Sequence, residues 1–172
     1  GLLELDSNNG ELSDENENNK IEKDYNYHRQ KGDKYGELMA NAFKESQNSW
    51  NKGDKAKAKE LSNLGYGFKE RMEIHKAKAV KLIATKNNKK RDSDEIDLHG
   101  LNVNEAIEFF KETFKIKFSE NNFESMKVIV GKGLHSLEKP KLKHAIAEYA
   151  ENLGLRVFEQ PGNEGVIIIC SL

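Results

Sequence analysis

The last 80 residues of the chain alternate between two hydrophobic patterns, and this alternation restricts the fold more than any other feature. Short segments with the pattern of strands occur over 95–98, 127–130, 156–159 and 166–171. Apolar residues at helical spacing lie between the first and second runs and between the second and third. The order β-α-β-α-β-β predicts a two-layer α/β (α+β) sandwich over residues 94–172.

Local signals place the helices and the last turn of this domain. Asn102 and Glu105 have the spacing of a capping box, which begins the first helix. The second helix is predicted over about 139–153, with Gly154 as its stop. Residues 161–165 are rich in glycine and open with a proline, so they predict a turn before the last strand.

Residues 25–86 predict an antiparallel hairpin of two amphipathic helices that precedes this domain. Asp54 is placed as the N-cap of the second helix. Trp50 is expected to close the hairpin core, with stacking on a nucleobase as the alternative. His75 falls on the apolar stripe and is expected to pack there, whereas His28 and His144 are expected to face solvent. The stripe of the first helix contains Tyr35, Leu38, Met39, Ala42, Phe43 and Ser46, and that of the second contains Leu61, Leu64, Phe68, Met72, Ala79 and Leu82.

The near-neutral total charge conceals three unlike segments. Residues 1–24 carry a net charge of −6, residues 25–92 one of +9 and residues 93–172 one of −4, for a total of −1. The first segment is acidic, rich in asparagine and almost free of apolar residues, so we expect a disordered linker to an upstream domain. Residues 87–93 are expected to be a short basic linker.

The basic segment admits two interpretations. A lysine-rich helix face is usually a solvated surface, but an excess of nine positive charges also suits a surface that follows a phosphate backbone. The candidate phosphate contacts on the hairpin are Lys55, Lys59, Lys69, Arg71 and Lys76.

Two clusters of residues have the character of a chemical site. Asp97 and His99 lie two apart at the end of a strand, so their side chains emerge on one face, and a carboxylate beside an imidazole raises its basicity. The loop 131–136 (Gly-Lys-Gly-Leu-His-Ser) leaves the next strand, and its glycine amides and lysine suit an anion. Because the ends of two parallel strands lie side by side, we expect the pair to face this loop and His135.

Simpler and competing interpretations remain for these residues. Asp97 and His99 alone also fit a strand end bonded to backbone, and His135 a histidine that caps the following helix. Arg156 is a candidate phosphate contact or an ordinary surface arginine. Asp97, His99 and His135 together have the composition of a three-ligand metal site, although metal-independent chemistry is preferred here. The single cysteine excludes a zinc cluster and an internal disulfide, and no run of about 18 apolar residues spans a membrane.

Three stretches, 96–101 (IDLHGL), 130–136 (VGKGLHS) and 162–166 (GNEGV), resemble in order and spacing the signature motifs of the Smr (small MutS-related) domain family. The hairpin resembles the domain of unknown function that precedes eukaryotic Smr domains, so the resemblance covers about residues 25–172. Two departures concern the loop: Val130 replaces a threonine found in many members, and 137–140 lacks a glycine.

The resemblance implies the β-α-β-α-β-β sandwich and a nuclease, acting on RNA in members with this hairpin and on DNA in the MutS-paralogue branch. It implies cleavage of mRNA at stalled or collided ribosomes (no-go decay) in the cytoplasm, without a cofactor. We expect a monomer with RNA and the ribosome as partners, no membrane partner, and further domains upstream. The alternatives are a non-cleaving RNA- or ribosome-binding module and a DNA-nicking nuclease.

We hypothesise metal-independent RNA cleavage, with the roles placed on residues of the two clusters. His99 is the general base or acid, oriented by Asp97, with His135 as the partner acid. Lys132, Ser136 and the amides of Gly131 and Gly133 are expected to hold the scissile phosphate.

Overall fold

A computed structural model describes residues 6–120, 123–131 and 139–172. The chain divides into two compact units, Gly1–Leu82 and Ile83–Leu172. Among the described helices, none combines the length and the apolar character that a membrane span requires.

The first unit is built from α1 (Asp6–Asn51) and from α2 (Lys55–Asn88), whose last residues belong to the second unit. Gly53 has a φ of 85°, which a glycine adopts without strain, and it allows the tight turn between the helices. The Asp54 carboxylate accepts a hydrogen bond from the Lys57 backbone N–H at 3.1 Å, so the predicted N-cap is confirmed.

The two helices run antiparallel, because residues from the start of one contact residues from the end of the other. His28 lies against His75, and Ser46 donates a hydrogen bond to the carbonyl of Ala58 at 2.6 Å. Between these ends, the ring of Tyr35 stacks on that of Phe68 at a centroid distance of 6.3 Å. The hairpin predicted from helical spacing is therefore confirmed.

Glycines within the helices set how closely the hairpin packs, a feature that the sequence pattern did not indicate. Gly65 faces the ring of Phe43, and a Cβ placed on this glycine would lie 2.6 Å from the ring. On α1, Gly32 faces Lys76 and Gly36 faces Met72, where an added Cβ would lie 3.2 and 3.3 Å away.

The Gly65→Ala protein is expected to have a hairpin that is less stable by about 1–3 kcal/mol, because the new methyl group overpacks the contact with Phe43. Gly67→Ala is the matched control, since a Cβ there meets nothing within 4 Å. Alanine at that helix position should stabilise by about 0.5–1 kcal/mol. Thermal unfolding followed by circular dichroism at 222 nm measures both. Equal changes in the two proteins would contradict the packing argument.

Residues 6–24, expected to be disordered, are instead helical in the structure. Most side chains between 12 and 24 are exposed, so tertiary packing does not explain this helix. Extending a formed helix costs far less than nucleating one, and the packed part of α1 supplies the nucleus. The segment contains no proline and is rich in glutamate, a good helix former. Composition alone therefore indicated disorder where a neighbouring helix determines the conformation.

Two histidines meet across the hairpin. The Nδ1 atoms of His28 and His75 are 2.9 Å apart, so one must donate a proton and the other must accept it. His28 was expected to face solvent, and this was wrong, because it is half-buried against His75. Desolvation by burial, followed by the positive charges of His28, Lys78 and Lys31, lowers the pKa of His75 from its ordinary 6.5.

This lowered pKa predicts that the hairpin loses stability in acid. The unfolded chain takes up the His75 proton near pH 6.5 and the folded hairpin only at lower pH, so stability is complete above about 6.5 and falls as the pH drops towards the folded pKa. Thermal unfolding at pH 7.5 and pH 5 measures the loss. His75→Phe should reduce the difference between the two pH values, whereas His144→Phe, at an exposed site, should not. Identical pH dependence in all three proteins would contradict the prediction.

The second unit confirms the predicted element order. It contains the end of α2, then β1 (Glu95–Asp97), α3 (Val103–Phe118), β2 (Ser125–Ile129), α4 (Lys139–Asn152), β3 (Arg156–Gln160) and β4 (Asn163–Cys170). The strands form one sheet in the order β1-β2-β4-β3, in which β1 and β2 are parallel and the other two pairs are antiparallel.

The core lies between one face of this sheet and the helices α3 and α4. Alternate strand residues such as Met126, Val128 and Ile169 point into it, and Phe110 and Phe114 of α3 are fully buried there. The capping box of α3 is confirmed, because the Asn102 side chain and the Glu105 backbone N–H are bonded at 2.9 Å. With both helices on one face, Asp97 and its same-face neighbours lie on the opposite face.

Two boundaries differ from the sequence prediction. The last strand begins at Asn163 rather than Val166, because Pro161 and Gly162, with a φ of 76° at the glycine, complete a tight turn. The expected linker at 87–93 also begins inside a helix, since α2 continues to Asn88.

Candidate active site

The described parts of the three motif stretches lie together at one end of the sheet of the second unit. The backbone N–H of Leu98, at the end of β1, donates to the carbonyl of Ile129 at 2.8 Å. The N–H of Val130 donates to the carbonyl of Gly165 at 2.8 Å. The segment after β1, the segment after β2 and the start of β4 therefore lie side by side, as the parallel pairing of β1 and β2 predicted.

Asp97 and His99 form a hydrogen-bonded pair at this end. The Nδ1 atom of His99 lies 2.5 Å from Oδ1 of Asp97, and the same oxygen accepts the backbone N–H of His99 at 3.1 Å. A carboxylate at that distance requires the proton on Nδ1, so the imidazole presents Nε2 as its basic nitrogen.

The two side chains differ sharply in exposure. The Asp97 side chain is 1% exposed, whereas that of His99 is 52% exposed. A buried carboxylate with fixed partners holds the ring in one orientation, and the half-exposed ring can reach a bound molecule. This arrangement suits a histidine that takes or gives a proton.

Asp97 has a second partner that sequence analysis assigned to the linker. Nη2 of Arg91 donates to Oδ2 of Asp97 at 2.8 Å, and Nη1 lies 3.6 Å from a carboxylate oxygen of Glu95. The only sequence signal for this contact was a spacing of four residues between Arg91 and Glu95, which is common on solvated surfaces. The carboxylate is thus shared between a guanidinium and an imidazole.

The glycine loop begins beside His99. Gly131 has a φ of 85°, in the region that favours glycine, and a Cβ on it would lie 3.5 Å from Cβ of His99. Close approach of the two segments, expected from the parallel strands, is therefore observed at Gly131. The other loop residues assigned to the site, Lys132, Gly133, His135 and Ser136, lie outside the described residues.

Arg156 does not lie beside the Asp97–His99 pair. It pairs with Cys170, which pairs with Ser125, whereas Asp97 pairs with Ile129. Strand spacings of about 4.8 Å and rises of about 3.3 Å per residue separate the Cα atoms of Arg156 and Asp97 by about 20 Å. Both residues therefore cannot contact one phosphate, although Arg156 is exposed and free to contact a more distant part of a long ligand.

The hairpin cations lie in the first unit and are mostly exposed. Lys69 lies 4.0 Å from Glu73, and the guanidinium of Arg71 lies over the ring of Tyr35 at 5.7 Å. Each contact with a carboxylate or a ring is weak at an exposed site, so a phosphate can compete for these cations. The exposed candidates are Lys55, Lys59, Lys69 and Arg71, and Lys76 is half-buried.

Trp50 was expected to close the hairpin core, and this was wrong, because the residue is 55% exposed. The ammonium of Lys55 lies 5.1 Å from the centre of its ring. Trp50 lines a cleft of about 470 Å³ with Lys55, Lys59 and Asn63, among other polar residues. An exposed indole beside two lysines has the chemistry of a platform on which a nucleobase stacks.

Metal ligation has limited support among the described residues. Asp97 already accepts hydrogen bonds at both carboxylate oxygens and its side chain is 1% exposed, so a metal there would compete with Arg91 and His99 for the carboxylate. The third predicted ligand, His135, is outside the described range. Elsewhere, Asp92, Asp94 and Glu95 bring carboxylate oxygens within 4.8 Å of one another, as exposed acidic groups often do.

Comparison with known proteins supports two domains in this order. The model of a domain of unknown function, DUF1771, matches residues 25–88, and that of the Smr domain matches residues 96–170. These matches confirm the resemblance of the helical segment to the domain that precedes eukaryotic Smr domains, and they confirm the Smr assignment. No solved structure matches the chain significantly.

Two curated fungal proteins are similar to the chain. Endonuclease NBR9 of Saccharomyces cerevisiae is 39% identical over 127 residues, which are 73% of this chain and 52% of the yeast protein. A Smr domain-containing protein of Schizosaccharomyces pombe is 34% identical over 149 residues, which are 85% of this chain and 70% of that protein. The chain thus spans about half the length of the first relative. With the matched models and the observed β-α-β-α-β-β sheet domain, these similarities show that the chain belongs to the family of Smr-domain proteins that carry a DUF1771 helical domain before the Smr domain.

Proposed function

We propose that the chain is an RNA endonuclease whose reacting group is His99. The observation that carries this proposal is the 2.5 Å bond between the buried Asp97 carboxylate and Nδ1 of the half-exposed His99. A domain that only binds nucleic acid has no need of an imidazole held in this way at the mouth of a glycine loop. The similarity to a protein named as an endonuclease supports the same activity.

The proposed reaction uses the ribose 2′-hydroxyl and requires no metal. Nε2 of His99 removes the hydroxyl proton, and O2′ forms a bond to the adjacent phosphorus. The bond from phosphorus to the 5′-oxygen breaks, and that oxygen takes a proton from a second acid, for which His135 is the sequence candidate. The products are a 2′,3′-cyclic phosphate and a 5′-hydroxyl.

Charge develops on the phosphate oxygens as this bond forms. The proposal assigns Lys132, Ser136 and the amides of Gly131 and Gly133 to these oxygens. The φ of 85° at Gly131 and its closeness to His99 support a loop that begins beside the reacting nitrogen.

Cleavage of a 5′-labelled single-stranded RNA in EDTA tests this function, with an all-deoxy strand of the same sequence in parallel. We expect cutting of RNA in EDTA, a cyclic phosphate at the new 3′ end and no cutting of DNA. Cutting that requires an added divalent metal would contradict the proton-transfer mechanism. Cutting of the deoxy strand would contradict the role of the 2′-hydroxyl.

We extend the proposal to cytoplasmic mRNA at stalled or collided ribosomes, which is no-go decay, and this step rests on family resemblance alone. It predicts that cleavage is strongest on mRNA bound to collided ribosomes. Purified collided disomes compared with single ribosomes on the same mRNA test it, and equal cleavage would contradict it.

A second candidate is a module that binds RNA or the ribosome without cutting. The observation in its favour is the net charge of −4 over residues 93–172, which repels a polyanion from the sheet domain. In both candidates the basic hairpin supplies the affinity. Binding without cleavage on free RNA and on collided ribosomes would favour this module.

Neutralising hairpin cations is expected to weaken RNA binding. The triple variant Lys55→Gln, Lys59→Gln, Lys69→Gln should bind single-stranded RNA at least about tenfold more weakly at 100 mM salt, because it lacks three phosphate contacts. The slope of log K against log salt should fall by about 2, since each contact to a single strand contributes about 0.7.

The matched control removes the same charge from exposed lysines of the other unit, by Lys115→Gln, Lys127→Gln and Lys141→Gln. This protein should bind nearly as the wild type does. Equal losses in the two triple variants would show that net charge, rather than the hairpin surface, determines affinity.

A further inference from the structure

The last turn of α2 and the segment after it contact the strand that carries the candidate active site. Three of the residues concerned lie on α2 and the fourth follows it, and all four lie in the second unit, which begins at Ile83. They precede the matched Smr segment, which starts at residue 96. The contacts come from Ile83, Asn87, Asn88 and Arg91.

Asn88 pairs with the outer edge of β1. Its Oδ1 accepts the backbone N–H of Asp97 at 2.8 Å, and its Nδ2 donates to the carbonyl of Asp97 at 3.0 Å. These two bonds reproduce what a neighbouring strand would provide to this residue. Because β1 pairs with β2 along its other edge, Asn88 satisfies the backbone groups of Asp97 that the sheet leaves open.

Asn87 and Ile83 hold the backbone after β1. Nδ2 of Asn87 donates to the carbonyl of His99 at 2.8 Å. Gly100 has a φ of 79°, and a Cβ on it would lie 3.5 Å from the side chain of Ile83. The chain is therefore fixed at Asp97, at His99 and just beyond His99 by one stretch of helix.

Arg91 orients the carboxylate itself. It occupies Oδ2 of Asp97, which leaves Oδ1 to accept both the ring Nδ1 and the backbone N–H of His99. The guanidinium thereby fixes which carboxylate oxygen faces the imidazole.

We infer that Arg91 and Asn88 are positioning residues of the nuclease centre, supplied by the end of the DUF1771 helix and the segment after it. The inference rests on the proposed function. The DUF1771 match ends at residue 88, whereas the second structural unit already begins at Ile83. The inference explains this overlap, because the last residues of the DUF1771 helix contact the candidate active site. The active centre accordingly extends upstream of the Smr segment.

The test compares Arg91→Gln, Arg91→Lys and the control Lys141→Gln in the full chain, with kcat and KM of RNA cleavage measured for each. We expect Arg91→Gln to lower kcat about 10–100-fold with little change in KM, because the carboxylate that orients His99 is no longer fixed. Arg91→Lys should restore part of kcat, and Lys141→Gln should leave kcat and KM unchanged.

Asn88→Leu and Asn88→Gln provide the second comparison. Leucine removes both hydrogen bonds to the Asp97 backbone. Glutamine keeps the amide donor and acceptor, but its longer side chain places them away from the Asp97 backbone. Both variants should lower kcat, and circular dichroism identifies any variant that fails to fold.

NMR of the histidine rings separates a failure of this inference from a failure of the proposed function. It reports whether the His99 ring keeps its proton on Nδ1, facing Asp97, in Arg91→Gln, and it needs no cleavage. Loss of that tautomer in Arg91→Gln, without any wild-type cleavage, would uphold the positioning contact and overturn the nuclease. Wild-type cleavage with unchanged kcat and an unchanged ring tautomer in Arg91→Gln would overturn the inference.

Discussion

The His99→Gln protein is expected to cleave RNA about 10²–10⁴-fold more slowly than the wild type, because it lacks the proton acceptor at Nε2. Glutamine retains an amide donor that can still face Oδ1 of Asp97, so the buried carboxylate keeps a partner. With 52% of its side chain exposed, His99 contributes little to the core, and the fold should be unchanged. Single-turnover cleavage of a labelled strand measures the loss.

His144→Gln is the matched control for this loss. His144 is 82% exposed on α4, and its Nε2 lies 3.9 Å from a carboxylate oxygen of Glu148, a distance at which the interaction is weak. This protein should cleave as the wild type does. Retention of cleavage within a few-fold by His99→Gln, with a normal circular dichroism spectrum, would contradict the assignment of His99 as the reacting group.

The Asp97→Asn protein is expected to lose activity on a similar scale, about 10²–10⁴-fold, for a different reason. An asparagine has one acceptor and one donor where the carboxylate has two acceptors. If the amide oxygen faces His99, the amide N–H₂ opposes the guanidinium of Arg91. If the amide is reversed, its donor faces Nδ1 and favours the other tautomer of His99.

Asp97→Asn should also lower the free energy of unfolding, by about 1–3 kcal/mol, because one hydrogen-bonding group at this buried position is left without a partner. Asp94→Asn is the control, since Asp94 is an exposed carboxylate three residues away. It should change neither activity nor stability appreciably.

The double variant Asp97→Asn, His99→Gln tests whether the two residues act as a unit. If Asp97 works only through His99, the double variant should be no slower than His99→Gln alone. Multiplicative losses would show that Asp97 has a separate role in the reaction.

Periodicity and capping residues were sufficient to predict most of the fold. The helical spacing around Phe43 and Phe68, the cap at Asp54 and the capping box at Asn102 are signals carried by residues close together in the sequence, so they depend little on the rest of the fold. The same holds for the order of helices and strands along the chain. Prediction failed at residues 6–24 and at 87–88. Composition indicated a disordered segment and a linker there, but α1 and α2 extend into these residues from the packed hairpin.

For the candidate site, the sequence by itself determined the pair. Asp97 and His99 are two residues apart on a strand, and the period of a strand directs both side chains to one face. The closeness of Gly131 followed from a parallel pairing that the βαβ order already required.

Only the tertiary structure decided which residues support the pair and which do not. Arg91 lies in a run of lysines and arginine that looks like a solvated linker, and nothing in its spacing indicates that it meets a buried carboxylate. Arg156 looked equally suitable for a phosphate, but the register places it at the far corner of the sheet. Contacts between residues on different elements depend on strand order, register and helix length together, and short-range sequence patterns specify each of these only in part.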